Sequence, residues 1–368
     1  MVVNGLASSS GGAAAILSSF LTSFAANAAP GWRAEVYVRD SRGLPHDRRI
    51  AYIVPELPRS SLLMRLVFDG WQLRSRYLAG AVDVFISFLN CSARIRAGQH
   101  FVYCHQALPL VRLAWPIYFR QPALLIRRLL TEALYRFAIL RSATVIVQQE
   151  WLRTAFCRYG PREIIVAWPL GAKKSSNRSV SISASPSYRI FYPLGPYGYK
   201  NAEVLIDAVR RANHNGDHRI TVTLTISPDE NSYARFLAQR AAADPAVRFV
   251  GALPLAAMAT AYANHDLLVF PSLAETWGLP LSEAKACGLP ILAADLPYAR
   301  EAVGDYDRAG FFDPADADAL AHRLAGLAAG NTLLGPTQHD RPREPFAADW
   351  KALVAIITGT GLVPQRKY

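Results

Sequence analysis

Cysteine is scarce in this sequence: Cys91, Cys104, Cys157 and Cys287 are the four in 368 residues, and no two are spaced as CxxC. That excludes a disulfide scaffold and a cysteine-built zinc cluster, and a reducing cytosol suits such thiols. Long apolar runs are also missing. The best candidate, residues 12–29 (GAAAILSSFLTSFAANAA), is dotted with Ser and Thr and falls short of the ~20 apolar residues that span a bilayer. Its small-residue end has the look of a signal-peptide cleavage site, but no Lys or Arg precedes Arg33, so the positive leader of such a peptide is lacking. The stretch reads instead as strand, Gly-rich turn and helix: Met1–Val3, a turn reaching Gly11-Gly12, and a helix from Ala13. Acid is short in one half only. Residues 1–180 hold 23 Lys+Arg against 9 Asp+Glu, a net of +14, whereas residues 181–368 hold 17 against 19, a net of −2.

What is present fits a globular protein. Hydrophobic residues make up 51% of the chain, which rules out disorder and collagen-like structure. The length favours two domains, and the Ser-rich, aromatic-free stretch 173–187 (KKSSNRSVSISASPS) reads as the linker between them. Each half alternates short β-branched or aromatic runs with longer helical patterns. In the first, Ala34–Val38, Ala51–Val54, Val82–Phe88, Phe101–Cys104 and Thr144–Val147 read as strands, and Ser60–Ala79 and Pro122–Leu140 as helices. The second half expects strands Arg189–Tyr192, Thr221–Ile226, Val247–Val250, Leu267–Phe270 and Pro290–Ala293. Helices Ala202–Asn213, Ser232–Ala243, Pro254–Ala263, Pro280–Cys287 and Ala317–Ala328 alternate with them. Such alternation predicts an α/β protein with two doubly wound parallel sheets, whose ligands bind beyond the carboxyl ends of the strands. The expected division is 1–172, linker 173–187, 188–345, and a last helical segment 346–368 that returns to the first domain.

Chemistry gathers after the strand Leu267–Phe270, in PSLAETWGLPLSEAKACGLP (271–290). Glu275 and Glu283 stand eight residues apart, one in the loop and one on the following helix. Gly278 lets backbone approach a ligand, and Pro280 suits the start of a helix. N–H groups at that helix start suit an anion such as a diphosphate, and flanking carboxylates suit sugar hydroxyls, so the pattern reads as a socket for a sugar nucleotide. The bland reading, two solvated carboxylates, competes wherever the flanking residues do not match.

Those flanks resemble a known family. The run FPSLAETWGLPLSEAKACGLPILAADLPYAREAVG (270–304) is similar to the E-x7-E region of the retaining glycosyltransferases of family 4. FYPLGPYGYKNAEVLIDA (191–208) is similar to the first strand and helix of their donor domain. FVYCHQALPL (101–110) resembles the acceptor-domain strand of the branch that builds cell-surface polysaccharides. The resemblance implies a GT-B fold, two Rossmann-like domains facing a cleft. It further implies metal-independent transfer, with retention, of a hexose from a UDP- or GDP-sugar to a saccharide or lipid-linked acceptor during bacterial O-antigen, capsule or exopolysaccharide synthesis. Glu275 is then expected on the hydroxyls of the transferred sugar, and Lys200 on the diphosphate. Backbone N–H groups near Thr276, Trp277, Gly278 and Leu279 would hold sugar and phosphate, Glu283 the ribose, Gly11 and Gly12 the diphosphate, and His105 the sugar or the acceptor hydroxyl. One position departs: Gly195 stands where an Arg five residues before the Lys is usual. That departure motivates an alternative, a catalytically silent nucleotide-sugar-binding or scaffold protein.

No cofactor is expected. Asp305/Asp307 and Asp316/Asp318 imitate a DxD metal motif, and the second reads better as a helix cap. The basic first half interleaves Arg112, Arg120, Arg127, Arg128, Arg136, Arg141, Arg153 and Arg158 with aromatics and leucines, a pattern suited to an anionic membrane surface across residues 112–160. A buried helix with solvated arginines accounts for it equally, and a basic membrane- or nucleic-acid-binding module is a further alternative. No nucleic-acid motif accompanies the charge, so a cytoplasmic, peripherally attached protein is the expectation.

Overall fold

The structure is a computed structural model that describes residues 1–6, 8, 11–55, 73–77, 82–91, 95–139, 144–161, 163–169, 187–214, 219–242, 244–333 and 341–359. They form two compact units. The first draws on the described residues within Met1–Leu110, Arg128–Ala172 and Arg341–Tyr368, the second on those within Val111–Arg127 and Lys173–Asp340.

The first unit is built on eight parallel strands: β1 (Val2–Asn4), β2 (Ala34–Tyr37), β3 (Ile50–Ile53), β4 (Val82–Ser87), β5 (Ala97–Tyr103), β6 (Thr144–Val147), β7 (Glu163–Ala167) and β14 (Phe346–Ala347). Their order is β14-β7-β6-β5-β4-β1-β2-β3. Central strands covered on both faces read as continuous apolar runs, and every residue of β6 (TVIV) is buried. Helix α1 (Gly11–Asn27) packs Ile16, Leu17, Phe20, Leu21 and Phe24 into this core at helical spacing. The strand and helix expected for the first residues therefore form, and the apolar stretch 12–29 supplies core residues of the first unit through α1. The helix starts at Gly11, two residues before the expected Ala13. Of the expected helix 60–79 only α2 (Leu73–Arg76) lies within the described residues.

Helices α3 (Trp115–Arg120) and α4 (Pro122–Ile139) follow β5, and α5 (Glu150–Phe156) follows β6. Val111–Arg127, read from the sequence as part of 1–172, groups with the second unit instead. The physical reason is local. Gln121 donates through Nε2 to the Pro196 carbonyl at 2.9 Å and accepts at Oε1 from the Gly198 N–H at 2.8 Å, while the Arg120 guanidinium lies 4.3 Å from the Phe236 ring centre. The 341–345 stretch likewise groups with the first unit, because Arg153 donates to the carbonyls of Arg343 at 2.7 Å and Pro345 at 2.6 Å.

The second unit has six parallel strands, β8 (Ser187–Tyr192), β9 (Arg219–Leu224), β10 (Val247–Phe249), β11 (Leu267–Phe270), β12 (Ile291–Ala294) and β13 (Ala309–Phe312), ordered β10-β9-β8-β11-β12-β13. Helices α6 (Ala202–His214), α7 (Ser232–Ala241), α8 (Leu255–Ala263), α9 (Leu279–Ala286), α10 (Pro297–Val303) and α11 (Ala317–Ala328) connect them. Counted from β8 the order is 3-2-1-4-5-6, the doubly wound arrangement, and β1 to β6 of the first sheet repeat it. The order reverses between β8 and β11, which places the topological switch point at the loops after Tyr192 and Phe270. The last described helix, α12 (Trp350–Ile357), is capped by Asp349, whose Oδ1 accepts from the Ala352 N–H at 2.8 Å. It buries Trp350, Leu353, Val354 and Ile357 in the first unit's core, about 1.5–3 kcal/mol for each full burial.

Candidate active site

At the switch point of the second sheet, two loops bring a cation and a carboxylate into contact. After β8 the chain runs through a short 3-10 turn, Gly198–Lys200, and Asn201 adopts a left-handed conformation (φ 55°) before α6 begins. Asn201 is buried there and donates to the carbonyls of Pro271 at 3.3 Å and Pro314 at 2.8 Å, tying the turn to the loop after β11. Leu273 N–H completes the tie on the Tyr199 carbonyl at 2.7 Å. So fixed, Lys200 Nζ donates to Glu275 Oε1 at 2.5 Å, and Ser272 Oγ donates to the same oxygen at 2.7 Å. Tyr192, at the end of β8, donates to the Lys200 carbonyl at 2.6 Å, and Tyr298 donates to the Ser272 carbonyl at 2.6 Å.

The electrostatics of the pair follow from its burial. The Lys200 and Glu275 side chains are only 15% and 16% exposed. Burial presses the Lys200 ammonium down, and the Glu275 carboxylate beside it more than offsets this, leaving the lysine above its ordinary value. Lys200 is therefore charged throughout the neutral range. Its aromatic surroundings add to this: Nζ lies 5.5 Å from the Tyr199 ring centre, and Tyr199 stacks on Tyr197 at 5.4 Å with 9° between planes. Arg127, from α4, lies 6.0 Å over the Tyr197 ring.

These rings explain what surrounds Gly195. A Cβ built there would stand 3.2 Å and 3.3 Å from Tyr197 Cε2 and Cδ2, so a larger side chain must displace that ring. Where the resemblance expects an arginine, the structure has a tyrosine carrying the Arg127 guanidinium on its face.

Gly278 (φ 79°) precedes α9 in the left-handed region, where an L side chain is strained. Its missing Cβ would also lie 3.1 Å from Leu281 Cδ1 and 3.3 Å from Phe270 Cε1. Pro280 is the second residue of α9 rather than the first. Trp277 is buried, and its Nε1 donates to Ser282 Oγ at 2.8 Å. Glu283 lies half-buried on α9 and accepts the Tyr262 hydroxyl at 2.6 Å; burial first, then this carboxylate, hold the Tyr262 phenol well above its ordinary value. Lys200 and Glu275 thus meet directly, with Thr276, Trp277, Gly278, Leu279 and Glu283 on the loop and helix that follow.

His105, Gly11 and Gly12 belong to the first unit. Gly11 and Gly12 open α1 after β1, and His105 follows the end of β5, where its backbone N–H donates to Asn90 Oδ1 at 2.7 Å. Tyr135 supports this loop by donating to the Gln106 carbonyl at 2.7 Å. Sequence reasoning missed Ser272, Tyr192, Asn201, Tyr298 and Gln121. Only Asn201 carried a signal, being an Asn in the turn just before a helix, a place that favours the left-handed conformation.

Among the described residues, no three His, Cys, Asp or Glu side chains gather to hold a metal ion. Asp316 caps α11, its Oδ1 accepting from Ala319 N–H at 2.8 Å as its sequence predicts, and Asp318 pairs with Arg211 at 2.6 Å.

Residues 186–337 match the family model of glycosyl transferases group 1. A curated relative, the O-antigen chain mannosyltransferase B of Escherichia coli, is 37% identical over 93 residues, 25% of this chain and 24% of that protein. The match thus spans about a quarter of that relative's length. Among solved structures, sucrose-phosphate synthase from Thermosynechococcus elongatus superposes with a TM-score of 0.65 at 15% identity, covering 97% of this chain and 92% of that one. Anabaena HepE in complex with UDP-glucose gives 0.61 at 18%, covering 98% and 94%. Likeness at such identities concerns the fold, which is that of the GT-B glycosyltransferases.

Proposed function

We propose that this protein moves a hexose from a UDP- or GDP-sugar to a saccharide or lipid-linked acceptor, a reading supported by the match of residues 186–337 to the glycosyl transferases group 1 model and by the GT-B fold. The product is a bacterial surface polysaccharide, and the anomeric configuration is retained. The observation that carries the reading is the Lys200–Glu275 pair at the switch point, held by Ser272 and followed by the Gly278 helix start.

The chemistry assigned to these groups follows from their charge. The bond from the anomeric carbon to the diphosphate oxygen breaks, and its electron pair stays on that oxygen. The acceptor hydroxyl oxygen bonds to the anomeric carbon from the same face and passes its proton to the departing phosphate. Lys200 stabilises the charge growing on the diphosphate, as do the backbone N–H groups of Thr276, Trp277, Gly278 and Leu279. Glu275 accepts hydrogen bonds from the sugar hydroxyls and so fixes the ring, while Glu283 takes the ribose hydroxyls. On donor binding the diphosphate replaces Glu275 as the partner of Lys200, so neither charge is left buried alone. His105, Gly11 and Gly12 keep the roles that the sequence resemblance implies, as a separate part of the proposal. The O-antigen mannosyltransferase relative supports the polysaccharide assignment, and the UDP-glucose complex of HepE supports a nucleotide-sugar donor.

A panel of UDP- and GDP-sugars, read by melting temperature, tests the binding half, because a ligand that binds only the folded state raises stability by mass action. A shift with one donor that disappears in Lys200→Ala supports the site. A donor shift without turnover on any acceptor would favour the silent binder over the enzyme.

A further inference from the structure

Among the described residues, the exposed large apolar side chains are concentrated in one short stretch. Among the described residues the large hydrophobic side chains left exposed are Val54, Trp115, Phe119, Ile126, Leu129, Leu130, Val250 and Leu255. Five of these eight fall within residues 115–130. Trp115 and Phe119, 64% and 77% exposed, stand four residues apart on α3 with ring centres 6.2 Å apart. On α4, Leu124, Thr131 and Tyr135 are buried and mark the inward face, yet Ile126, Leu129 and Leu130 stand outward, where a surface helix ordinarily carries polar residues. An apolar patch of this kind on a protein surface marks a place of interaction.

The charge around it selects the partner. Arg112, Arg120, Arg127 and Arg128 lie among these side chains, and no Asp or Glu occurs from residue 111 to residue 131. Arg112, Arg120 and Arg127 are exposed. Further along, the basic residues meet carboxylates. Arg136 and Arg158 pair with Glu132, and Arg153 is buried against Glu150 and two backbone carbonyls. Of the stretch 112–160 expected from sequence, residues 112–127 carry the proposal.

We infer that α3 and the first turns of α4, within the second unit, form a membrane-docking surface that takes a bilayer rich in anionic phospholipid. Trp115, Phe119 and Ile126 enter the boundary between headgroups and acyl chains, and Arg112 and Arg120 meet lipid phosphates. Among the described residues no helix is long and apolar enough to cross a membrane. The inference stands independently of sugar transfer.

Flotation of the full chain with phosphatidylcholine vesicles, with and without phosphatidylglycerol, tests it. Binding is expected to anionic vesicles and to weaken as salt is raised. The double variant Trp115→Ser/Phe119→Ser should bind at least about tenfold more weakly, and Arg112→Ser/Arg120→Ser about tenfold or more. Because Trp115 and Phe119 are exposed, their removal should leave the melting temperature unchanged. A second readout needs no destabilising change: lipids brominated in the acyl chain should quench tryptophan fluorescence of the native protein, and the quenching should fall in Trp115→Phe. Failure to bind either vesicle, equal binding to both, or a concentration-dependent dimer lost in Trp115→Ser/Phe119→Ser without vesicle binding would each overturn the inference.

Discussion

The two sheets share a strand order and differ in what stands at their carboxyl ends. At the end of β8 and β11 the second sheet presents a buried ion pair, Lys200–Glu275, whose atoms are tied down by Ser272, Asn201 and the phenols of Tyr192 and Tyr298. Beyond β5 the first sheet presents His105, held through its backbone by Asn90, while the neighbouring Phe88, Tyr103 and Trp350 are packed together inside the core, with Phe88 stacked 5.1 Å from Tyr103. One topology thus supports a charged rim and a rim with a single imidazole. The fold supplies the place and the side chains decide its chemistry. A charged rim suits an anion, and a rim bearing one imidazole suits a hydroxyl group.

The largest expected effect breaks the charged rim. Lys200→Ala and Glu275→Gln should each lower kcat/KM by about 10²–10³-fold, the scale for losing one preorganised electrostatic contact, and Lys200→Ala should also abolish the donor-induced melting shift. Next comes the imidazole rim. His105→Ala should lower turnover by about 10²-fold, the scale for one positioned hydrogen-bonding group, and leave the donor shift in place, and loss of that shift would erase the contrast between the rims. Gly278→Ala forces an L residue into the left-handed region against Leu281 and Phe270, so chemical denaturation should show about 1–3 kcal/mol less stability.

The smallest effect is the pH response of the pair. Lys200 has its folded pKa raised above the unfolded one, so its contribution is complete below the ordinary lysine value, ~10.4, and is lost as pH rises through the higher folded value. The stability gap between the native protein and Lys200→Met should be flat from neutral to mildly alkaline pH and close only in strong alkali. A gap closing near neutrality would mean a depressed lysine.

Much of this arrangement was legible in the residues. Leu267–Phe270 and Ala317–Ala328 have the expected bounds, because an uninterrupted apolar run and a capped, strongly periodic helix leave little choice. The motif around Glu275 and Glu283 was readable for its spacing and its Gly-Leu-Pro helix start. Other elements were silent. Ala309–Phe312 (AGFF) and Phe346–Ala347 are strands by pairing alone, their short runs carrying no period, and β5 begins four residues earlier than its apolar core because Ala97–His100 is polar and partly exposed. Gln121 was invisible as a site residue. Its hydrogen bonds to Pro196 and Gly198 join positions about 75 residues apart in sequence, and no local pattern encodes a contact of that range. Arg127 reached the ring beside Gly195 in the same way.

The central claim is that Lys200 and Glu275 form the donor site. Titration of the purified protein with UDP and GDP in a calorimeter, repeated on Lys200→Ala, tests it most directly. The account predicts saturable binding of one of the two nucleotides by the native protein and at least tenfold weaker binding by the variant. Equal affinity in both proteins would contradict it.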